Sequence, residues 1–124
     1  MARVLVIEDH ADTLELIRTV LAHAGHDVSV AIDGEDGLRR YRTAPPDVVV
    51  VDLFMPRMDG LDVISALRED VGPAAKIIAI SAGWSVRAAD VLKEAKARGA
   101  DCVLRKPLDL EALTVTVKDL LARG

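Results

Sequence analysis

Short apolar runs alternate with helical patterns along the whole chain, and this alternation most constrains its fold. The clearest run is four consecutive valines, Val48–Val51, which end in a lone carboxylate, Asp52. A short run that is apolar throughout is typical of a strand covered on both faces of a parallel sheet. Five β-rich runs are predicted to be strands: Arg3–Ile7, Asp27–Ala31, Asp47–Val51, Lys76–Ile80 and Asp101–Arg105.

The segments between these runs carry apolar side chains at helical spacing. The last segment is the clearest, with a stripe formed by Leu110, Leu113, Val117 and Leu120. Asp59 precedes another such segment as a predicted helix N-cap. Strict alternation of strand and helix with short connections predicts a doubly wound α/β sandwich around a parallel sheet. The second and fifth runs, which are shorter or more mixed, are predicted to be its edge strands.

Length and composition predict one domain, residues 1–124, with no output domain. A chain of 124 residues buries a sufficient core without disulfides. No apolar stretch approaches the roughly 20 residues that a membrane-spanning helix needs, and charges interrupt the first apolar run, unlike in a signal peptide. The single cysteine, Cys102, excludes an internal disulfide and agrees with a reducing compartment. We therefore expect a cytoplasmic protein.

The charge pattern argues against direct binding to nucleic acid. The formal net charge is −4, the basic residues are scattered along the chain, and aromatic residues make up 2% of it. Nucleic-acid-binding domains carry clustered lysines and arginines as their electrostatic footprint. We therefore expect neither nucleic acid nor a membrane to be a direct partner.

Charged and hydroxyl side chains follow four of the five predicted strands. Glu8 and Asp9 follow the first run, Asp52 the third, Ser81 the fourth and Lys106 the fifth. In an open parallel sheet, ligands bind beyond the carboxyl ends of the strands. The fold therefore gathers these residues at one edge, although nearly the whole chain separates them in sequence.

Three carboxylates at this edge predict a divalent metal site. Glu8, Asp9 and Asp52 repel one another unless a cation lies among them or a proton is taken up. Mg²⁺ prefers a few carboxylate or carbonyl oxygens, and it keeps waters or phosphate oxygens as its remaining ligands. The backbone carbonyl of Phe54 is a further predicted ligand. Mg²⁺ is the expected ion, with Mn²⁺ as an alternative.

Asp52 has a second predicted role as a nucleophile for phosphoryl transfer. A carboxylate can form an acyl phosphate, and the transfer depends on neutralising the charge of the phosphoryl oxygens. The Lys106 ammonium and the Ser81 hydroxyl are placed to contact those oxygens. Ala82 is small and leaves room for a phosphoryl group to enter.

Pro107 leaves two local geometries open. A cis peptide bond is tolerated mainly before proline, and a cis Lys106–Pro107 bond could direct the ammonium back over the sheet edge. A trans bond that simply begins the fifth helix is the alternative.

Taken in order, these motifs resemble the receiver domain of two-component response regulators. The resemblance extends from Arg3 to about Leu121, and its motifs are Val6–Asp9, Val51–Gly60, Ile80–Ala82 and Lys106–Pro107. It implies a flavodoxin-like (βα)₅ fold with strand order 2-1-3-4-5. It also implies a phosphorelay partner, either a sensor histidine kinase or a histidine phosphotransfer protein.

The resemblance assigns a role to each site residue. Asp52 would be the phosphoacceptor, Glu8 and Asp9 the metal-binding acids, Ser81 the switch hydroxyl, and Lys106 the phosphate-contacting lysine. A downstream target would bind the face formed by the fourth helix, fifth strand and fifth helix. The domain would be a monomer or a phosphorylation-dependent dimer, with no enzymatic activity beyond its own phosphorylation and dephosphorylation.

Val103 departs from the family pattern. Receiver domains often have an aromatic ring three positions before the lysine, and that ring moves inward when the hydroxyl engages phosphate. With valine at this position, the hydroxyl half of the switch is present and the rotating ring is not.

Three other interpretations of the same residues remain open, and one of them is a binding module that kept the fold and lost phosphorylation. The chain could be a receiver domain cut from a larger transcriptional regulator or hybrid kinase. It could instead be a phosphohydrolase that turns over small phosphate esters through an aspartyl phosphate. Such hydrolases place a second acid two positions after the nucleophile, where this sequence has Phe54.

Overall fold

The computed structural model describes residues 2–55, 58–71, 75–81 and 86–123, and strands and helices alternate through these residues. The elements are β1 (Arg3–Ile7), α1 (Ala11–His23), β2 (Asp27–Ala31), α2 (Gly34–Thr43), β3 (Val48–Asp52), α3 (Gly60–Val71), β4 (Lys76–Ser81), α4 (Val86–Arg98), β5 (Cys102–Arg105) and α5 (Leu110–Ala122). All five predicted strands are present, with each end within one residue of its predicted position.

The strands form one parallel sheet in the order β2-β1-β3-β4-β5. This is the flavodoxin-like order that the family resemblance implied, and it confirms β2 and β5 as the edge strands. The central strand, β3, is buried along its full length. No helix within the described part of the chain combines the length and apolar character needed to cross a bilayer.

The sheet separates two apolar layers, one against α2, α3 and α4 and the other against α1 and α5. Alternate residues of β3 enter opposite layers, because successive strand side chains point to opposite faces. Val49 and Val51 join the first layer, and Val48 and Val50 join the second. The four valines therefore serve both cores at once, which explains why this run contains no polar residue.

Two aspartates lie at strand starts that the sequence placed one residue too early, while β3 and β4 extend one residue further than predicted, to Asp52 and Ser81. Asp47 and Asp101 lie just before β3 and β5. The Asp47 carboxylate accepts the backbone N–H of Arg3 at 2.9 Å, and the Asp101 carboxylate accepts that of Ile77 at 2.7 Å. Each side chain satisfies a backbone donor of a neighbouring strand, at the position just before the regular strand begins.

Capping side chains begin the helices that follow the strand ends at the carboxyl edge. Asp59 accepts the Asp62 N–H at 3.1 Å, which confirms its predicted capping role. Asp109 caps α5, and His10 caps α1 by accepting the Thr13 N–H at 3.4 Å. The chain thus turns into a helix soon after β1, β3 and β5, which keeps the residues at those strand ends close to the sheet.

Arg68 on α3 holds the opposite end of β4 and β5, a role that the sequence did not indicate. Its guanidinium donates to the carbonyls of Gly99 and Ala75, both at 2.7 Å, and pairs with the Asp101 carboxylate at 2.9 Å. A charged group that bonds two loop carbonyls fixes loops that regular secondary structure leaves unpaired. Arg68 therefore fastens the connection from α4 to β5.

Candidate functional site

The carboxyl edge of the sheet brings Glu8, Asp9 and Asp52 into one cluster. One carboxylate oxygen from each residue lies within 4.8 Å of the others. Glu8 and Asp52 are 1% and 3% exposed, and Asp9 is open to solvent. Buried carboxylates this close to one another need compensation by a cation or a proton.

Lys106 supplies part of that compensation. Its Nζ lies 3.2 Å from Glu8 Oε1 and 3.4 Å from Asp52 Oδ2, so one ammonium bridges both buried acids. Its backbone N–H donates to the Ser81 carbonyl at 2.7 Å, which holds the end of β5 against β4. The Lys106–Pro107 peptide bond is cis, one of the two geometries that the sequence left open.

The backbone around Asp52 is tightly packed. Its Oδ1 accepts the Phe54 N–H at 3.1 Å, which turns the chain away from the sheet directly after the strand. A Cβ at Gly60 would lie only 2.4 Å from the Asp52 carbonyl oxygen and 2.6 Å from Leu53 Cα. Only glycine fits there, because the start of α3 lies directly against the end of β3.

Burial changes the acid–base properties of the site. Together with the neighbouring Asp52 carboxylate, burial raises the pKa of Glu8 from 4.5 to about 8, and Lys106 partly opposes the rise. Burial alone would lower the pKa of Lys106, but the charges of Asp52 and Glu8 outweigh it and raise that pKa. The ammonium therefore stays charged at neutral pH, and one lysine does not neutralise both acids.

An unpaired carboxylate oxygen tests whether this site suits a metal ion. Glu8 Oε2 is buried and has no hydrogen-bond partner among the described residues. Such an atom is costly to bury unless it is protonated or bound to a cation. With oxygen donors of Glu8, Asp9 and Asp52 converging, the donor set fits a hard divalent ion such as Mg²⁺. The carbonyl of Phe54 stays a predicted ligand.

The register of the sheet places the other predicted residues. Asp52 pairs with Ile80, and Ser81 follows on the same strand, fully buried and opposite Arg105 of β5. Ser81 thus lies at the same edge as Asp52 and Lys106. Ala82 lies outside the described residues. Val103 is half-buried and packs against the core layer next to α4.

Known proteins share the sequence and fold. Residues 4–118 match the family described as the response regulator receiver domain. The transcriptional regulatory protein PrrA of Mycobacterium leprae is 40% identical over 121 residues, which cover 98% of this chain and 50% of that protein. TrcR of Mycobacterium tuberculosis, also a transcriptional regulatory protein, is 31% identical, with 98% of this chain and 46% of TrcR covered. The chain thus spans about half the length of these relatives.

Solved structures agree with this relationship. The receiver domain of the Francisella response regulator 1452 has a TM-score of 0.89 and 31% identity, with 99% of this chain and 98% of that one covered. Vibrio cholerae chemotaxis protein CheY4 has a TM-score of 0.88 and 30% identity, with 97% and 98% covered. Sequence, fold and the order of the motifs agree. The chain belongs to the response regulator receiver domain family of two-component systems.

Proposed function

We propose that this receiver domain is switched by phosphorylation of Asp52. A histidine kinase or histidine phosphotransfer protein would donate the phosphoryl group, and Mg²⁺ would be required. The observation that carries this proposal is the single Lys106 ammonium that bridges buried Glu8 and Asp52. Such a bridge places a positive charge beside the nucleophile, where negative charge accumulates during transfer.

Each residue of the site has a distinct proposed task. A carboxylate oxygen of Asp52 forms a bond to phosphorus as the bond from phosphorus to the donor's imidazole nitrogen breaks. Glu8 and Asp9, together with Asp52, hold the Mg²⁺, which when bound offsets negative charge on the phosphoryl oxygens. Lys106 offsets charge on another side, and the Ser81 hydroxyl donates a hydrogen bond to the bound phosphoryl group. Slow hydrolysis of the acyl phosphate would return the domain to its starting state.

We further propose that residues 1–124 act as one cytoplasmic receiver domain and bind a downstream protein through the α4–β5–α5 face. The named relatives are transcriptional regulators about twice as long as the matched region. This supports, for the natural protein, the alternative of a receiver domain within a larger transcriptional regulator.

Chemical phosphorylation tests the assignment of Asp52. With acetyl phosphate and Mg²⁺, the protein should gain one phosphoryl group by intact-mass spectrometry, and chelation of the metal should prevent this. Asp52→Asn should gain none, while Asp12→Asn, which changes an exposed acid in the first turn of α1, should be labelled normally. Normal labelling of Asp52→Asn would show that the phosphoacceptor lies elsewhere.

A further inference from the structure

The helix that follows the acids of β1 has an unusual cap. Four helices of the described part of the chain have a capping side chain at their start: His10 for α1, Asp33 for α2, Asp59 for α3 and Asp109 for α5. Three of these caps are carboxylates, and the cap of α1 is an imidazole nitrogen. Aspartate, asparagine, serine and threonine are the residues that N-caps prefer. The histidine is therefore the exception, and it lies directly after Asp9 of the acid cluster.

His10 caps α1 through its Nδ1 atom. This nitrogen accepts the Thr13 N–H at 3.4 Å and lies 3.3 Å from the Thr13 hydroxyl oxygen. The His10 carbonyl accepts the Leu14 N–H at 2.9 Å, which closes the first turn of the helix. Because Nδ1 accepts a backbone hydrogen, it carries none of its own, and the imidazole holds its proton on Nε2. The cap of α1 is therefore an uncharged acceptor.

The position of Asp9 depends on this cap. The link from β1 to α1 has three residues, Glu8, Asp9 and His10. At its start, the Glu8 N–H donates to the Ala31 carbonyl at 3.0 Å, and at its end His10 holds the first turn of α1. The Asp9 carboxylate between them has no hydrogen bond or ion pair to any residue that the structure describes. The backbone contacts on either side of Asp9 therefore set where its oxygens lie.

An uncharged cap suits this position because negative charge is already in excess there. Glu8, Asp9 and Asp52 bring three carboxylates within 4.8 Å of one another, and the Lys106 ammonium contacts two of them. A fourth carboxylate next to Asp9 would add repulsion in the metal-free protein, which a neutral nitrogen does not. The aspartate cap of α2, Asp33, instead follows β2, a strand that contributes no residue to the acid cluster.

We propose that His10 is a positioning residue for the metal site: its cap fixes the first turn of α1 and thereby holds Asp9 where the carboxylate reaches the ion. The inference rests on the proposed function, because it concerns the Mg²⁺ that the three acids would bind. A ligand oxygen that is already in place loses less conformational freedom on binding than one on a loose link, so the affinity is higher. Both nitrogens of His10 are occupied, Nδ1 by the cap and Nε2 by its proton. His10 therefore acts through Asp9 and not as a metal ligand.

Calorimetric titration with Mg²⁺ tests the proposal in a set of cap variants. His10→Ala should weaken Mg²⁺ binding about 5-fold, the factor by which losing an N-cap typically lowers the population of an ordered first turn. His10→Asn restores a neutral acceptor that N-caps prefer, and its affinity should stay within about 2-fold of the native value. Asp33→Ala is the matched control, since it removes the α2 cap that accepts the Asp36 N–H at 2.8 Å. Both alanine variants should lower the thermal midpoint of the metal-free protein by about 4 °C, and only His10→Ala should lose Mg²⁺ affinity.

Labelling by acetyl phosphate separates positioning from a direct part in phosphoryl transfer. In His10→Ala, the Mg²⁺ concentration that gives half-maximal labelling should rise about 5-fold. The rate at saturating Mg²⁺ should equal the native rate, because Asp52 and Lys106 are unchanged. A saturating rate that fell in both His10→Ala and His10→Asn would show that the imidazole acts on the phosphoryl group itself, and it would overturn the proposal.

The outcomes distinguish this inference from the proposed function. Equal Mg²⁺ affinity of His10→Ala and the native protein would remove the positioning role alone. So would an equal loss of affinity in Asp33→Ala or in His10→Asn. A native protein that binds no Mg²⁺ would instead remove the metal requirement of the proposed function, and this inference with it. The thermal unfolding of each variant verifies that it folds.

Discussion

The same kinds of charged residue meet at the carboxyl edge of the sheet and on the helix surfaces, with opposite consequences. At the edge, Lys106 contacts the side chains of Glu8 and Asp52, both of which are buried. On α1, Arg18 contacts Glu15, whose side chain is 63% exposed. The Arg18 hydrogen bond lowers the pKa of Glu15, whereas burial raises that of Glu8 to about 8 in spite of its lysine.

The direction of the pKa shift in such a pair therefore depends on burial and not only on whether a cation is present. An exposed pair is screened by water and satisfies its own charge. The edge cluster keeps an uncompensated carboxylate in a dry site, and only a proton or a further cation can satisfy it. The carboxyl edge is therefore the region where a bound cation would satisfy a charge that the protein itself leaves uncompensated.

The largest expected effect comes from removing the lysine of the edge. Lys106→Met should slow labelling by acetyl phosphate about 100-fold, because the charge that offsets the phosphoryl oxygens is lost. Its Mg²⁺ affinity, measured by calorimetric titration, should instead rise several-fold, since a neighbouring positive charge no longer repels the ion. Lys118→Met serves as the control and should change neither. A fall in both rate and Mg²⁺ affinity would mean that Lys106 mainly holds the fold of the site.

Arg68 is intermediate between the buried edge cluster and the exposed helix-surface pairs, because it is a half-buried cation that donates mainly to carbonyls. Arg68→Met should lower the free energy of unfolding by about 2–3 kcal/mol, because the Gly99 and Ala75 carbonyls lose their charged donor. Urea unfolding measures this. Arg98→Met, which removes more exposed pairs with Asp62 and Glu94, should cost clearly less. Equal losses would mean that burial does not set the scale of these contacts.

The pH dependence of the metal-free protein tests the Glu8 environment. Between pH 4.5 and about 8 the folded state holds a proton on Glu8 that the unfolded state has released. The contribution of Glu8 to the free energy of unfolding is therefore fully present below pH 4.5, and it is lost as the pH rises to about 8. Glu8→Gln should remove this fall and be more stable than the native sequence at high pH, on the order of 1–2 kcal/mol.

Mg²⁺ should reverse that ranking. In the native sequence the ion should restore stability at high pH, and its affinity should increase with pH up to about 8, because binding displaces the Glu8 proton. Glu8→Gln should gain much less from the ion. A stability curve of the metal-free native protein that stays flat between pH 5 and 8 would contradict the assigned Glu8 environment.

The smallest effect is expected on the helix surface. Arg18→Ala removes the α1 pair with Glu15 and should shift the thermal midpoint by only about 1 °C, since exposed pairs contribute little. If Arg18→Ala lowered the thermal midpoint as much as Arg68→Met does, the exposed pair would stabilise the fold as strongly as the half-buried one, which would contradict this expectation.

Sequence alone was sufficient for the architecture. The valine run and the alternation of strand with helix predicted five parallel strands, and β2 and β5 as edges, because burial on both faces leaves little choice of residue type. Strand ends were less accurate, for example at Asp47 and Asp101, where each aspartate side chain accepts a backbone N–H from a neighbouring strand. That contact depends on a partner far away in the sequence.

The sequence by itself also determined which residues gather at the carboxyl edge, because parallel strands end together. Tertiary structure decided the burial and the contacts of those residues. It buried Glu8 and left Asp9 exposed, although the two are adjacent. It also bridged Glu8 and Asp52 with Lys106 and placed Arg68 across the α4–β5 connection. Each of these depends on distances between separate elements, and residue order along one chain does not specify how far water is excluded between them.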